Sequence, residues 1–212
     1  MVGQPMRFMP FQQVVFKSLT AGKLGVPGLL RIHHWRSTND RECGDANHED
    51  KQIGESVVIH EVDLACWFFD AAPDTVYAVG RGVTNGVSLE YTQVHLGFPD
   101  GGMALIDCTN QLTSSSCPYY SLSMIGSTGA AYADDHYNMN LLFRDGNPTA
   151  LNVGQGHDYV RLQLQEFINA IQDDREPLTT GEDGRRAMAV AQAAARSLAS
   201  HRRAQRVGER YE

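Results

Sequence analysis

Short apolar runs separated by tight-turn sequences, between residues 75 and 144, constrain the fold of this 212-residue chain more than any other feature. The turn sequences include Asn85-Gly86 and Asp100-Gly101-Gly102, which are strong hairpin signals between apolar runs. Strands joined by such short turns pair antiparallel, because parallel neighbours need longer crossover connections. Strands are therefore predicted at residues 75–82, 86–98, 103–109, 119–126, 129–134 and 138–144, with an earlier one at 29–36.

Apolar residues spaced three and four apart predict four helices around this sheet. The first begins at Pro10 and ends before Gly22 and Gly25, and the second covers residues 57–69. Two more close the chain, with apolar rows formed by Leu164, Phe167, Ile168 and Ile171 in one and by Ala187, Val190, Ala191, Ala194, Ala195 and Leu198 in the other. Thr179, with Glu182 three residues later, predicts a capping box for the last helix. The predicted fold class is α+β: a large, mostly antiparallel, open-faced β-sheet with helices on one face.

The face of the sheet without helices also carries apolar groups. The longest predicted strand directs apolar or aromatic side chains to both faces, including Tyr91, Val94 and Leu96. An antiparallel sheet leaves a face in water only when that face is polar. We therefore expect another chain to cover the open face, which predicts a homo-oligomer. Residues 1–200 are predicted to form one domain and residues 201–212 a charged tail.

Composition excludes several classes of function. The net charge of −7 argues against binding to nucleic acid or to anionic membranes, both of which reward a basic surface. No apolar stretch is long enough to span a membrane, and no signal peptide is visible. Cys43, Cys66, Cys108 and Cys117 match no CxxC pattern, although Cys108 and Cys117 could pair in an exported protein. We expect reduced thiols and a cytoplasmic location.

His60 and Asp63 are the first candidate site residues. Residues three apart share a face of a helix, and a histidine there can exchange a proton near neutral pH. The alternative is a histidine packed at a helix start. His33 and Trp35 share one face of a predicted strand, where an indole beside an imidazole is typical of a sugar-binding surface, although ordinary strand packing also explains them. His157 precedes the third long helix and could point into a cleft from the helix start.

Other familiar motifs are absent. The sequence contains no GxGxxG and no GxSxG, and Gly126-Ser127-Thr128-Gly129 lacks the ending of a phosphate-binding loop. The acidic loop between residues 37 and 54 carries Asp, Glu, Cys and His side chains without a zinc or calcium spacing. No metal-binding residues are predicted.

Taken in order, several segments resemble the C-terminal domain of the Gfo/Idh/MocA oxidoreductase family. The matching segments are Gly3 with Arg7-Phe8-Met9-Pro10, Leu19 to Gly25, Ile59 to Trp67, Ile125 to Gly129, and residues 165–171, 176–178 and 181–184. The resemblance implies a dihydrodipicolinate-reductase-like α/β domain that walls the substrate site and forms subunit contacts. It also implies a separate Rossmann domain that binds NAD or NADP.

With this resemblance, His60 is predicted to be the catalytic residue. It would help to remove a sugar hydroxyl proton while hydride leaves the same carbon. The predicted substrate-binding residues are Arg7, His33, Trp35, Asp63 and His157. Two departures stand out: the family's glycine-rich unit and Glu-Lys-Pro lysine have no counterpart in these residues, and Ser56 stands where many members carry an aspartate. The chain alone is therefore expected to bind no cofactor.

The sequence is compatible with three functions. The chain is interpreted first as the substrate-binding and oligomerisation domain of an NAD(P)-dependent sugar or polyol oxidoreductase that needs a Rossmann partner. The alternatives are a non-catalytic sugar-binding or assembly subunit, and a cofactor-free sugar-processing enzyme that uses His60, His157 and the acidic loop.

Overall fold

The fold is known from a computed structural model that describes residues 1–37, 58–82, 89–112, 119–134, 139–143, 149–152, 158–200 and 205–207. A 3₁₀ helix at Pro5–Phe8 precedes four α-helices: α1 Pro10–Thr20, α2 Ile59–Phe69, α3 Tyr159–Gln172 and α4 Gly181–Ala199. The strands are β1 Pro27–Ser37, β2 Thr75–Gly82, β3 Leu89–Gly97, β4 Met103–Leu112, β5 Tyr119–Gly126, β6 Ala130–Asp134, β7 Met139–Phe143, β8 Thr149–Asn152 and β9 Gln205–Arg206.

The strands form a single sheet in the order β8-β7-β6-β5-β1-β4-β3-β2-β9. Every pair is antiparallel except β1 with β4, which run parallel. The predicted mostly antiparallel sheet is confirmed. β1 lies at the centre of the sheet, between β5 and β4. It can run parallel to β4 because α2, β2 and β3 lie between the two strands in the sequence, and parallel neighbours need such a long connection.

Helices α1, α2 and α4 cover one face of the sheet, as predicted, and α3 packs against the 3₁₀ helix. Leu30 and Ile32 of β1 and Ile106 of β4 point to that face and are fully buried. The next residues along β1 point to the opposite, open face, because side chains alternate along a strand. α1 is followed by Gly25, whose left-handed backbone, with φ of 69°, carries the chain into β1.

α2 is the most deeply buried helix of the described chain. Its residues from Glu61 to Phe68 are all buried, as expected for a helix that is apolar around most of its circumference. It ends at Asp70, which adopts a left-handed conformation with φ of 50° while the Ala71 N–H bonds the Cys66 carbonyl. None of the described helices is long and apolar enough to cross a membrane.

One local prediction is wrong. The capping box of α4 lies one residue later than predicted: the Thr180 side chain and Asp183 exchange hydrogen bonds, and Thr179 instead bonds the Val2 carbonyl. Within the predicted tail, Gln205 and Arg206 form β9 and pair with β2. The short β8 also has no counterpart among the predicted strands.

Candidate functional site

His60 lies in the first turn of α2 and is half-buried. Its Nδ1 is 2.8 Å from Oε1 of Gln4, a buried side chain just before the 3₁₀ helix. An amide oxygen only accepts, so Nδ1 carries the proton in this contact. Nε2 then holds the lone pair that can accept a proton from a bound hydroxyl group.

Arg7 and Asp63 form a buried ion pair beside His60. Arg7 Nε donates to Asp63 Oδ2 at 2.7 Å and Nη2 donates to Oδ1 at 2.6 Å, and both residues are at most 2% exposed. Asp183 Oδ1 lies 3.1 Å from Nη2, and the Arg7 guanidinium lies over the Trp67 ring. The described contacts of this pair lie within the protein and join the 3₁₀ helix to α2 and α4. Substrate contact by Arg7 and Asp63 therefore stays a prediction.

Glu61 points from α2 towards β1, where its carboxylate contacts Nδ1 of His34. The carboxylate is buried. The His34 ring also packs in a T-shaped arrangement with the Tyr120 ring, with 5.3 Å between the ring centroids. Burial by itself raises the pKa of Glu61, but the hydrogen bond with His34 and the charges of His34 and His60 lower it below its ordinary value of 4.5. A carboxylate is thus held in its charged form beneath the helix turn that carries His60.

Glu61 is expected to make the fold sensitive to acid. A carboxyl whose pKa is lower in the folded chain contributes stability above its ordinary pKa, and that stability is lost as pH falls through the folded-state pKa. Glu61→Gln is therefore expected to lower the free energy of unfolding by about 1.5–3 kcal/mol at neutral pH, with a smaller difference in acid. Urea titrations on both sides of pH 4.5 measure this, with exposed Glu176→Gln as the control. A Glu61→Gln deficit that does not change with pH would contradict the account.

His33 and Trp35 lie on the open face of the sheet, opposite α2. Asp107 of β4 holds both: its Oδ1 is 2.6 Å from His33 Nδ1, and its Oδ2 accepts from Trp35 Nε1 at 2.8 Å. Burial raises the pKa of Asp107, but the hydrogen bonds from His33 and Trp35 lower it overall. The Trp35 ring also packs against Tyr119 at 5.1 Å, so the indole is held in one orientation.

An open groove of about 680 Å³ lies beside this cluster. Its lining residues are Trp35, Val79, Gly80, Arg81, Tyr91, Thr92, Gln93, Asp107, Cys108 and Thr109. Trp35 and Tyr91 are 37% and 49% exposed, so aromatic surface is available beside the Asp107 carboxylate. This combination is typical of surfaces that bind sugars or another protein.

The structure thus divides the predicted site residues between two faces of the sheet. It brings Arg7 and Asp63 together near His60, whereas His33 and Trp35 lie across the sheet from α2. His157 lies outside the described residues. Sequence reasoning missed Gln4, Glu61 and Asp107 as partners of the three histidines. Of these three, only Glu61 carried a signal in the sequence, as an acidic residue within a mostly apolar helical run.

The described cysteines are structural. Cys66 and Cys108 are buried and free, as predicted for Cys66. Burial raises the pKa of Cys66 to about 12 and also raises that of Cys108. Cys43, Cys117 and the acidic loop from residue 38 to 54 lie outside the described residues. Among the residues that are described, no group of three or more side chains is placed to hold a metal ion.

A family match that covers most of the chain identifies the family of this domain. Residues 17–205 match the model of the oxidoreductase family C-terminal alpha/beta domain named for Gfo, Idh and MocA. The chain belongs to the Gfo/Idh/MocA family. The resemblance predicted from the ordered segments is thereby confirmed, together with its C-terminal domain assignment.

Two relatives of this Gfo/Idh/MocA domain cover most of its length. An oxidoreductase of Bacillus subtilis, YrbE, is 26% identical over 93% of the chain and 60% of its own length. The inositol 2-dehydrogenase of Rhizobium meliloti is 23% identical over 95% of the chain and 63% of its own length. The chain therefore spans less than two thirds of these relatives.

A solved structure supports the fold of the Gfo/Idh/MocA domain. An oxidoreductase from Agrobacterium radiobacter, determined in complex with NAD⁺, L-tartaric acid and magnesium, superimposes with a TM-score of 0.83. The match covers 98% of this chain and 65% of that one at 18% sequence identity.

The residues described here do not fit a dinucleotide site. The sequence has no glycine-rich βαβ unit, and the one parallel pair of described strands, β1 and β4, lies within an otherwise antiparallel sheet. The Agrobacterium radiobacter oxidoreductase was determined with NAD⁺, and this domain matches only 65% of that chain. We therefore assign no step of cofactor binding to this domain.

Proposed function

We propose that this domain, residues 1–200, forms the substrate wall and the subunit contact of a sugar or polyol oxidoreductase. Its redox chemistry requires a Rossmann domain that binds NAD or NADP. The proposal takes its substrate class from the inositol 2-dehydrogenase relative. In this proposal, residues 1–200 supply the proton acceptor and the shape of the substrate site, and the Rossmann domain supplies the hydride acceptor.

The orientation of His60 carries the proposal. Nδ1 of His60 donates a hydrogen bond to Gln4 Oε1, so Nε2 is the ring nitrogen that can act as a base. The ring is half-buried in the first turn of α2. A general base works best when its neighbours fix its tautomer and orientation. We assign to His60 the removal of the hydroxyl proton from the substrate carbon that is oxidised.

The Arg7–Asp63 pair supports His60 from behind in this proposal. Asp63 is one helical turn from His60, and Arg7 belongs to the 3₁₀ helix that follows Gln4. The ion pair therefore fixes the spacing between α2 and the segment that carries the Gln4 side chain. We assign to the pair a positioning role.

A fusion protein tests the proposed function. The N-terminal part of the Rhizobium meliloti relative, which this chain does not match, would be joined ahead of residue 1. We expect the 212-residue chain to bind no NAD⁺ in calorimetric titration, because it lacks a phosphate-cradling glycine turn. We expect the fusion to bind NAD⁺ and to reduce it with myo-inositol or another polyol. Tight NAD⁺ binding by the chain alone, or an NAD⁺-binding fusion that oxidises no sugar or polyol, would contradict the proposal.

The open face of the sheet supports self-association as a second role of the domain. Strand register places Ile125, Leu29 and Met103 side by side on this face, and Ile125 and Met103 are 46% and 53% exposed. Trp35 and Tyr91 continue the exposed apolar surface towards the other end of the strands. Large apolar patches on a folded domain mark sites of association. We propose that two copies of the domain meet through this face.

Charge on the open face is expected to separate the copies. Met103→Asp combined with Ile125→Asp should weaken self-association about thirtyfold or more, since the loss of even one buried anchor residue costs about 2 kcal/mol or more. Light scattering across a concentration series measures the change. Leu164→Asp, at an exposed apolar position on α3, is the matched control. A monomeric native chain, or equal effects of both variants, would overturn the assignment of this face.

A further inference from the structure

The apolar row of α3 is not covered by the described chain. Val160, Leu164, Phe167, Ile168 and Ile171 are 44–65% exposed, and Ala170 is the one buried residue of this helix. The corresponding row of α4, by contrast, is almost completely buried. Five large apolar side chains on one side of a helix form a patch of the kind that contacts a partner.

The patch lies beside the segment that opens the chain. α3 packs against the 3₁₀ helix Pro5–Phe8, and the loop after α3 is bonded to the first residues. The Val2 N–H donates to the Thr179 carbonyl at 3.1 Å, and Thr179 Oγ1 donates to the Val2 carbonyl at 2.7 Å. Arg7 Nη1 also donates to the Leu178 carbonyl. A domain joined ahead of residue 1 would therefore emerge next to the apolar row.

Ion pairs flank the patch at both ends of α3. Arg175 donates to both carboxylate oxygens of Glu166 at 2.7 and 2.8 Å, and Arg161 bonds Asp158 at the other end of α3. A partner can bury the apolar row without isolating these charges, because the ion pairs stay at its rim. An apolar centre with a polar rim is the usual anatomy of a protein interface.

We propose that the apolar row of α3 is the docking surface for the cofactor-binding domain of the oxidoreductase. The occupant follows from three observations. The family match is to a C-terminal domain, relatives extend well beyond the region that this chain matches, and the row borders the segment that would follow the preceding domain. The inference rests on the proposed function and adds the surface through which the two domains meet.

Thiol labelling tests the docking surface in the same fusion. Ile171→Cys reports on the α3 row, and Val26→Cys, just before β1, is the matched control, because the native side chains are 65% and 67% exposed. Both are made with Cys43→Ser and Cys117→Ser. Cys66 and Cys108 stay, since both thiols are buried with raised pKa values. The fusion is compared with the 212-residue chain after calorimetry has shown that it binds NAD⁺.

We expect the Ile171→Cys thiol to react at least about tenfold more slowly in the fusion than in the chain alone, because an interface thiol reacts only when the contact opens. The Val26→Cys rate should be the same in both proteins. Equal Ile171→Cys rates in the two proteins would overturn the proposal. Protection of Ile171→Cys in the chain alone that disappears on dilution would also overturn it and would identify a second copy as the occupant. Labelling needs no turnover, so its result is independent of whether the fusion oxidises a polyol.

Discussion

His60→Ala is expected to lower kcat/KM for polyol oxidation by the fusion about 10²–10⁴-fold, the usual contribution of a positioned general base. The physical reason is the loss of Nε2 as proton acceptor, which the half-buried ring presents while Gln4 holds Nδ1. Steady-state rates with saturating NAD⁺ measure the loss. Because the residue lies in the first turn of α2 and is not fully buried, the melting temperature should change little.

Two further variants separate a catalytic from a packing role. His95→Ala removes an exposed histidine on the open sheet face and should leave kcat/KM unchanged. Gln4→Leu leaves the imidazole but removes its acceptor, so its loss should be smaller than that of His60→Ala. If His60→Ala lowers the melting temperature strongly and leaves kcat/KM unaltered, His60 is a packing residue and the proposed base is elsewhere.

Asp63→Ala is expected to have the largest effect on stability. It leaves the Arg7 guanidinium buried, with Asp183 as the remaining carboxylate contact, and breaking a buried ion pair from one side costs about 3–5 kcal/mol. Urea unfolding measures the cost. Asp158→Ala, which breaks the exposed pair with Arg161, should cost no more than about 1 kcal/mol.

The double variant Arg7→Met with Asp63→Leu distinguishes an unpaired charge from lost packing. Removing both charges should recover much of the loss, because the cost of burying the ions disappears together with their attraction. An Asp63→Ala cost as small as that of Asp158→Ala would show that the pair contributes little to the fold. A double variant that is less stable than Asp63→Ala would show instead that lost packing, and not an unpaired charge, causes the loss.

Local sequence determined the elements that bring His60 into place. The apolar run over residues 57–69 predicts a helix from its spacing alone, and α2 is that helix. The Asp-Gly turn at residues 100–102 likewise separates β3 from β4, with Gly101 at φ of 81°. Such features are readable because helical period and turn chemistry depend on residues a few positions apart. The same local rule placed the capping box one residue early, since Thr179 and Thr180 are both capable caps.

Contacts between distant residues could not be read in this way. Arg7 and Asp63 are 56 positions apart, and His33 is 74 positions from Asp107, so neither partner follows from periodicity. Alternation along β1 separates His33 and Trp35 from His34. It does not say which of the two faces α2 will cover, and that choice puts His33 and Trp35 across the sheet from His60.

The apolar rows of α3 and α4 show the same division. Sequence alone determined that both segments are helices with one apolar side, because the pattern depends only on spacing along the chain. Tertiary structure decided that the α4 row is buried while the α3 row stays exposed. Whether a face is covered depends on which other elements reach it. For α3 the described chain provides the 3₁₀ helix on one side and leaves the apolar side open.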